Sequence, residues 1–392
     1  MKPSLFNMFA TRVEKVPQSF IREILKVASD PEITSFAGGL PNPELFPLKE
    51  IEVSSENVLQ KEGRRALQYA ATEGLYSLRE YILNRYKKRY NLDIPPEQIL
   101  ITNGSQQALD LIGKLFINPG DKVIVERPAY LGALQCFSMF EAEFLEVNLE
   151  SDGIDTAQLK TQLDYTNVKL VYSVPNFQNP SSITYSELKR KEVANILSCY
   201  GTFFIEDDPY GEISFTNNIH TPIYSYLPGQ TILLGSFSKT IAPGLRLGWM
   251  VANKDIITKA TILKQASDLH TCNLTQYILS DFLERNDLDY HISKIIKLYK
   301  HQAEVMTSSL NSYFTSSIDY SNPLGGMFCW LKLPIGITSR ELLNRALKEK
   351  IIFVPGDTFY AQKSDNQTLR LNFSNVDEAR MIEGLKKLGS LI

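Results

Sequence analysis

The sequence predicts an α/β fold: a mostly parallel central sheet in a large domain, followed by a smaller α+β domain. Three observations carry this expectation. Short, predominantly apolar runs recur at Gln98–Thr102, Lys122–Val125, Lys169–Val174, Thr202–Ile205, Thr231–Leu234 and Gly248–Val251. Several are separated by stretches with helical periodicity, such as Ser186–Tyr200. Strands that are apolar throughout, alternating with helices, belong to parallel sheets covered on both faces. Polar clusters then follow Thr102, Val174, Ile205 and Leu234. In such sheets ligands bind just beyond the carboxyl ends of the strands.

The elements can be justified in order. Residues 1–45 read as an irregular arm with one helix near Ser19–Ala28. The arm ends in Phe36-Ala-Gly-Gly-Leu-Pro-Asn-Pro, too rich in Gly and Pro to be anything but a loop. After the first strand, Asn103-Gly104-Ser105 breaks the run, and Ala108, Leu109, Leu111, Ile112, Leu115 and Phe116 mark one face of a helix. The large domain is expected over 46–285. From Asn273 to about Phe314 the pattern is one long helical stretch. A strand at Gly326–Leu333 comes next, then a helix opened by a capping box at Thr338 and Glu341. Strands near Ile351–Val354 and Leu369–Phe373 and a last helix complete the smaller domain, 286–392.

Composition narrows the class of function. At 392 residues the chain has room for two ordinary domains, and 43% hydrophobic with 22% charged residues is the balance of a globular protein. A net charge of −3 and a pI of about 6.0 argue against a nucleic-acid footprint. No apolar run approaches the roughly 18 residues of a membrane span. The N-terminus has no apolar core of a secretory signal, so a cytoplasmic location is expected. Cys136, Cys199, Cys272 and Cys329 are far apart and form no C-x-x-C pair; they read as buried thiols in a reducing compartment. His220, His270, His291 and His301 lack metal-ligand spacing, so no metal is expected.

The chemistry gathers around Lys239. A buried strand ends at Gly235, and Ser236, Ser238 and Thr240 surround the lysine. A Pro243-Gly244 turn follows, with Arg246 just beyond. Hydroxyls and an arginine beside one lysine suit a site that grips a phosphate next to an amine able to form a Schiff base. Taken alone, Ser-Lys-Thr is more readily a solvated turn. A P-loop is excluded, because that pattern needs glycine before the lysine and here Ser238 stands there. Asp207 and Tyr210 lie just past another apolar strand, and Asn179-Pro180 is by itself a plain turn signal. Gly104-Ser105-Gln106 opens a helix and offers free N–H groups to an anion. Arg370, in the middle of a Leu-Arg-Leu strand, is an odd core residue and points to a functional role.

In this order the motifs resemble those of the fold-type I class I/II aminotransferases that depend on pyridoxal 5'-phosphate (PLP). The resemblance is strongest to the group containing 2-aminoadipate and kynurenine aminotransferases. It runs from Phe36-Ala-Gly-Gly-Leu-Pro through Ser236-Phe-Ser-Lys-Thr to Leu369-Arg-Leu-Asn-Phe-Ser. It implies that Lys239 holds PLP as a Schiff base and then shuttles a proton between the substrate Cα and the cofactor. Asp207 would pair with the pyridine nitrogen, while Tyr210 and Asn179 would hydrogen-bond the cofactor's ring oxygen, Asn179 also facing substrate. Ser105, Gln106, Ser236 and Arg246, with Ser238, would cradle the phosphate. Tyr130 would stack on the ring, Arg370 would clamp the substrate α-carboxylate, and Gly39 would let backbone approach the substrate. Tyr69 would reach the phosphate of a second subunit, which implies a homodimer with shared active sites. Arg22 would contact the substrate side chain; the alternative is a surface arginine paired with a glutamate.

The resemblance implies transfer of an amino group from an L-amino acid (2-aminoadipate, aromatic or aliphatic, over a broad range) to a 2-oxo acid such as 2-oxoglutarate. A β-elimination lyase is the alternative with the same cofactor. A non-catalytic PLP-binding effector domain is the other, and would need a helix-turn-helix unit ahead of a region that here begins almost at Met1. One motif departs from the family: Asn179-Pro-Ser-Ser stands where Asn-Pro-Thr-Gly is usual, and loss of the glycine is expected to reshape the turn.

Overall fold

The computed structural model describes residues 9–10, 12–13, 24, 30–216, 218–315, 318–362 and 365–392. Arg22 and the expected helix near Ser19–Ala28 lie outside the described residues, apart from Ile24 of that helix.

The strands are β1 (Thr34–Ser35), β2 (Ile99–Thr102), β3 (Lys122–Arg127), β4 (Glu143–Glu150), β5 (Gly153–Ile154), β6 (Val168–Ser173), β7 (Phe203–Asp207), β8 (Thr231–Ser236), β9 (Gly248–Val251), β10 (Asp319–Tyr320), β11 (Phe328–Lys332), β12 (Ile351–Ile352), β13 (Val354–Pro355) and β14 (Thr368–Asn372). An eight-stranded sheet has the order β2-β9-β8-β7-β6-β3-β4-β5. From β8 to β4 all pairings are parallel. β9 runs against both β8 and β2, and the short β5 runs against β4.

Apolar continuity along the strands has a direct consequence, because successive side chains point to opposite faces. Val123 and Val125 of β3, Leu170 and Tyr172 of β6, Ile205 of β7 and Leu234 of β8 enter one core. Ile124, Val171 and Phe204 enter a second core, and Ile101, Leu233 and Val251 a third, both beneath the other face. The helix Ser105–Phe116 buries Ala108, Leu109, Leu111 and Ile112 on the first face. Helices Thr156–Tyr165 and Glu187–Leu197 cover the second core, and Tyr76–Tyr90 covers the third.

Towards the C-terminus a four-stranded antiparallel sheet has the order β10-β11-β14-β13, and β1 pairs in parallel with β12. The capping box forms as expected, with the Thr338 hydroxyl accepting from the Glu341 N–H and the Glu341 carboxylate accepting from the Thr338 N–H.

Three expectations need correction. The stretch from Asn273 to Phe314 is two helices, Asn273–Arg285 and Leu288–Tyr313. The break falls at Asn286-Asp287, where Asp287 caps the new helix by accepting from the Tyr290 N–H. The strands β4 and β5 escaped the sequence reading. Cys199 and Cys272 are exposed, unlike the buried Cys136 and Cys329. Among the described residues no helix is long and apolar enough to cross a membrane.

Candidate active site

β2, β3, β6, β7 and β8 all end on the same side of the sheet, and the antiparallel β9 begins there. The loops at these ends surround a cavity of about 670 Å³.

Beyond β2, Gly104 takes φ +75, and a Cβ there would lie 2.7 Å from Nη2 of Arg246. The glycine therefore permits both the turn and the close approach of the guanidinium. The helix starting at Ser105 has no side-chain cap, so its first N–H groups and their dipole are available to an anion. Arg246 comes from the loop between β8 and β9 and donates to the carbonyls of Asn103 (3.1 Å) and Pro243 (3.3 Å). Ser236, at the end of β8, donates to the Ser238 hydroxyl and accepts from the Ser238 N–H. Ser105, Gln106, Ser236, Ser238 and Arg246 line one end of the cavity. Two hydroxyl residues, a helix start and a guanidinium together make an anion cradle.

Lys239 extends between this cradle and Arg370. Its amine donates to the Gly39 carbonyl at 2.7 Å. Burial, together with the nearby charges of Arg370 and Arg246, lowers its pKa to about 8. A substantial neutral fraction is what a nucleophilic or proton-accepting amine requires.

Asp207, at the end of β7, is buried and lines the cavity. Its Oδ2 accepts a 2.7 Å hydrogen bond from the phenol of Tyr172, while Oδ1 is enclosed and has no partner. Burial raises its pKa to about 7. Tyr130 lines the same wall, its phenol pushed up to about 12 by burial and by the charge of Asp207. Tyr210 is buried and edge-on to Phe328 at 5.9 Å.

Arg370, from β14, is buried at the opposite end. Its guanidinium sits 4.2 Å over the Phe328 ring and 5.1 Å from that of Phe359. It donates to Asn179 Oδ1 (2.8 Å) and to the Ala37 carbonyl (2.6 Å), and its Nε has no partner.

The cavity thus collects Gly39, Ser105, Gln106, Tyr130, Asn179, Asp207, Tyr210, Ser236, Ser238, Lys239, Arg246 and Arg370. Tyr69 is not among its lining residues; it is 78% exposed, with its ring edge against His270. Sequence reasoning missed several contributors. Phe328 and Phe359 flank Arg370, and Tyr172 holds Asp207. Glu126 is a buried carboxylate that accepts from Ser173, Tyr185 and Gln178, and Gln178 also donates to the Pro128 carbonyl. Glu126 thereby ties together the loops that carry Tyr130 and Asn179. A carboxylate directly after the apolar run Lys122–Val125 was the available signal. The turn after Asn179 holds a further surprise. Ser182 adopts φ +66, so the serine takes a left-handed conformation of the kind a glycine favours.

Residues 44–388 match the family of class I and II aminotransferases. The chain belongs to that family. It is 40% identical to aromatic-amino-acid aminotransferase 1 of Thermococcus litoralis, over 98% of this chain and 94% of the relative. The structure of a kynurenine aminotransferase from Pyrococcus horikoshii, solved with PMP, superposes with a TM-score of 0.95 at 40% identity, covering 99% of this chain and 97% of the other. An α-aminoadipate aminotransferase from Thermus thermophilus, complexed with N-(5'-phosphopyridoxyl)-L-leucine, gives a TM-score of 0.93 at 35% identity, covering 99% and 98%.

This class I/II aminotransferase depends on PLP, and its cavity fits the group. An enclosed carboxylate oxygen without a partner requires a donor, which a protonated ring nitrogen supplies. The amine of lowered pKa suits an aldehyde, and the anion cradle suits a phosphate.

Proposed function

We propose that this aminotransferase takes amino groups from a broad set of L-amino acids (2-aminoadipate, aromatic and aliphatic) and delivers them to a 2-oxo acid such as 2-oxoglutarate. The observation that carries the reading is the placement of Lys239, the unpartnered Asp207 Oδ1 and Arg370 around one cavity. These are a proton carrier, an anchor for a ring cation and a clamp for a carboxylate.

Bound PLP supplies an electron sink that makes the substrate Cα proton acidic. The protein's own part is then positional. Asp207 holds a proton on the ring nitrogen. Asn179 and Tyr210 would hydrogen-bond the ring oxygen, Tyr130 would cover the ring, and Ser105, Gln106, Ser236, Ser238 and Arg246 would hold the phosphate. Arg370 binds the α-carboxylate in bidentate fashion, held by Phe328 and the Ala37 carbonyl so that little freedom is lost on binding. Lys239, with its pKa lowered to about 8, would be the base that accepts the substrate Cα proton and the acid that returns it, at neutral pH.

Breadth follows from the lining. Among the described residues the cations around the cavity are Lys239, Arg246 and Arg370, all assigned to cofactor or α-carboxylate. A second substrate carboxylate therefore needs a further cation, the role read for Arg22, while apolar side chains need none. The exposed Tyr69 fits a contact with a second subunit, in a homodimer that works in the cytoplasm.

An absorbance spectrum tests the reading. An amino acid should abolish the visible band of the lysine-bound cofactor, and 2-oxoglutarate should restore it. Release of pyruvate and ammonia without any acceptor would instead assign an elimination reaction.

A further inference from the structure

We infer that Tyr172 is the positioning residue that keeps Asp207 a carboxylate and so holds the proton it shares with the cofactor on the ring nitrogen. The inference rests on the reading of Asp207 as the partner of that nitrogen.

Tyr172 lies on β6, one strand from Asp207, and is wholly enclosed, its ring edge-on to Phe137 at 6.0 Å. Its hydroxyl donates to Asp207 Oδ2 at 2.7 Å. Among the described residues this is the only side chain that hydrogen-bonds the carboxyl group. The other titratable groups that face Asp207 are Glu126 from β3, the adjoining Asp208, and the phenols of Tyr130 and Tyr210. Burial opposes ionisation of Asp207 most, and the two carboxylates add to it. Tyr172 is the group that favours it.

The consequence concerns one proton between two basic atoms, Asp207 Oδ1 and the ring nitrogen. A hydrogen bond to Oδ2 stabilises the carboxylate and leaves the proton on nitrogen, where its positive charge draws electrons from the ring. Without the phenol the carboxyl becomes more basic and the proton moves towards Oδ1. The number of protons and the net charge of the pair are unchanged; the ring loses its positive charge as the carboxylate loses its negative one. The same contact also fixes which carboxylate oxygen is left for the cofactor.

Tyr172→Phe removes one hydroxyl and keeps the ring. A hydrogen bond to a charged group is worth enough that the Kd for PLP, titrated into apoprotein, should rise about tenfold. A ring with less positive charge makes the lysine–cofactor Schiff base more basic. The pH midpoint of the visible band should therefore move up, in the same direction as in Asp207→Asn. A purely structural tyrosine would lower the melting temperature of the apoprotein and move neither quantity, and that result overturns the inference. The double variant gives a second reading. If Tyr172 acts through Asp207, adding Tyr172→Phe to Asp207→Asn should change the Kd by less than about twofold. A full tenfold loss in that background overturns it. If Asp207→Asn alone binds PLP as wild type does with an unmoved midpoint, the role of Asp207 itself has failed, a result distinct from failure at Tyr172.

Discussion

Lys239 and Gly39, 200 positions apart in the chain, are joined by a 2.7 Å hydrogen bond from amine to carbonyl. The same segment also gives its Ala37 carbonyl to Arg370. The backbone at 37–39 therefore touches both the Lys239 amine and the Arg370 guanidinium of the cavity.

Lys239→Ala removes the amine and leaves the anion cradle intact. Turnover should fall by about 10⁴-fold or more. PLP should still bind, but without covalent attachment. Borohydride reduction followed by mass spectrometry checks this: wild type retains the cofactor's mass on the chain and the variant does not. Turnover near that of wild type would remove Lys239 from the mechanism.

Asp207→Asn should trade cofactor binding for stability. The folded chain raises the Asp207 pKa from 3.8 to about 7, so it binds this proton more tightly than the unfolded chain does. The stabilisation from that proton is complete at low pH and is lost as pH rises through 7. Asparagine carries no charge to bury. At pH 8 the variant apoprotein should melt roughly 2–4 °C above wild type, and at low pH, near 4, the two should converge. The Kd for PLP should rise about 100-fold, as expected when a buried charge pair is broken. A variant that melts lower at pH 8 would contradict the burial argument.

Arg370→Lys keeps a positive charge but loses the planar fork and its stacking on Phe328. The KM for amino donor and for oxo acid should both rise, by about 30-fold or more, since each presents the same α-carboxylate. The Kd for PLP should stay within about twofold of wild type. Steady-state kinetics with both substrates, alongside a PLP titration, decides the point.

Ser182→Gly should stabilise the protein. Ser182 holds φ +66 and its buried hydroxyl has no partner. Glycine relieves both costs but gives back some chain entropy, for a net gain of about 1 kcal/mol. Thermal melts of the holoenzyme measure it. A lower melting temperature would show that the serine side chain supports the turn.

The strand ends were legible because apolar runs stop abruptly at polar clusters, and the parallel sheet then forces those clusters together. That is why Lys239, Asp207, Asn179 and Ser105, each just past a strand end, line one cavity. The strand Glu143–Glu150 was illegible for the opposite reason. Its sequence, EFLEVNLE, mixes acids with apolar residues because it lies towards the sheet edge and only Val147 is fully buried. The helix break at Asp287 was hidden by periodicity that continues on both sides. Tyr172 was hidden too, because a tyrosine in an apolar strand looks like packing until its hydroxyl is seen against Asp207. The turn after Asn179 was not legible in its conformation: Ser182 takes a left-handed φ of +66, which residue identity alone does not announce.

The reversal of β9 has one more effect. Ser236 and Gly248 lie side by side, so the chain that leaves the sheet with Lys239 returns at once with Arg246. On the proposed roles of Lys239 and Arg246, attachment of the cofactor and restraint of its phosphate would be inherited as one segment, 237–247. Homologous recombination or grafting that exchanges this segment would carry both functions intact, whereas a crossover inside it would separate them and leave a protein that binds its cofactor at only one end.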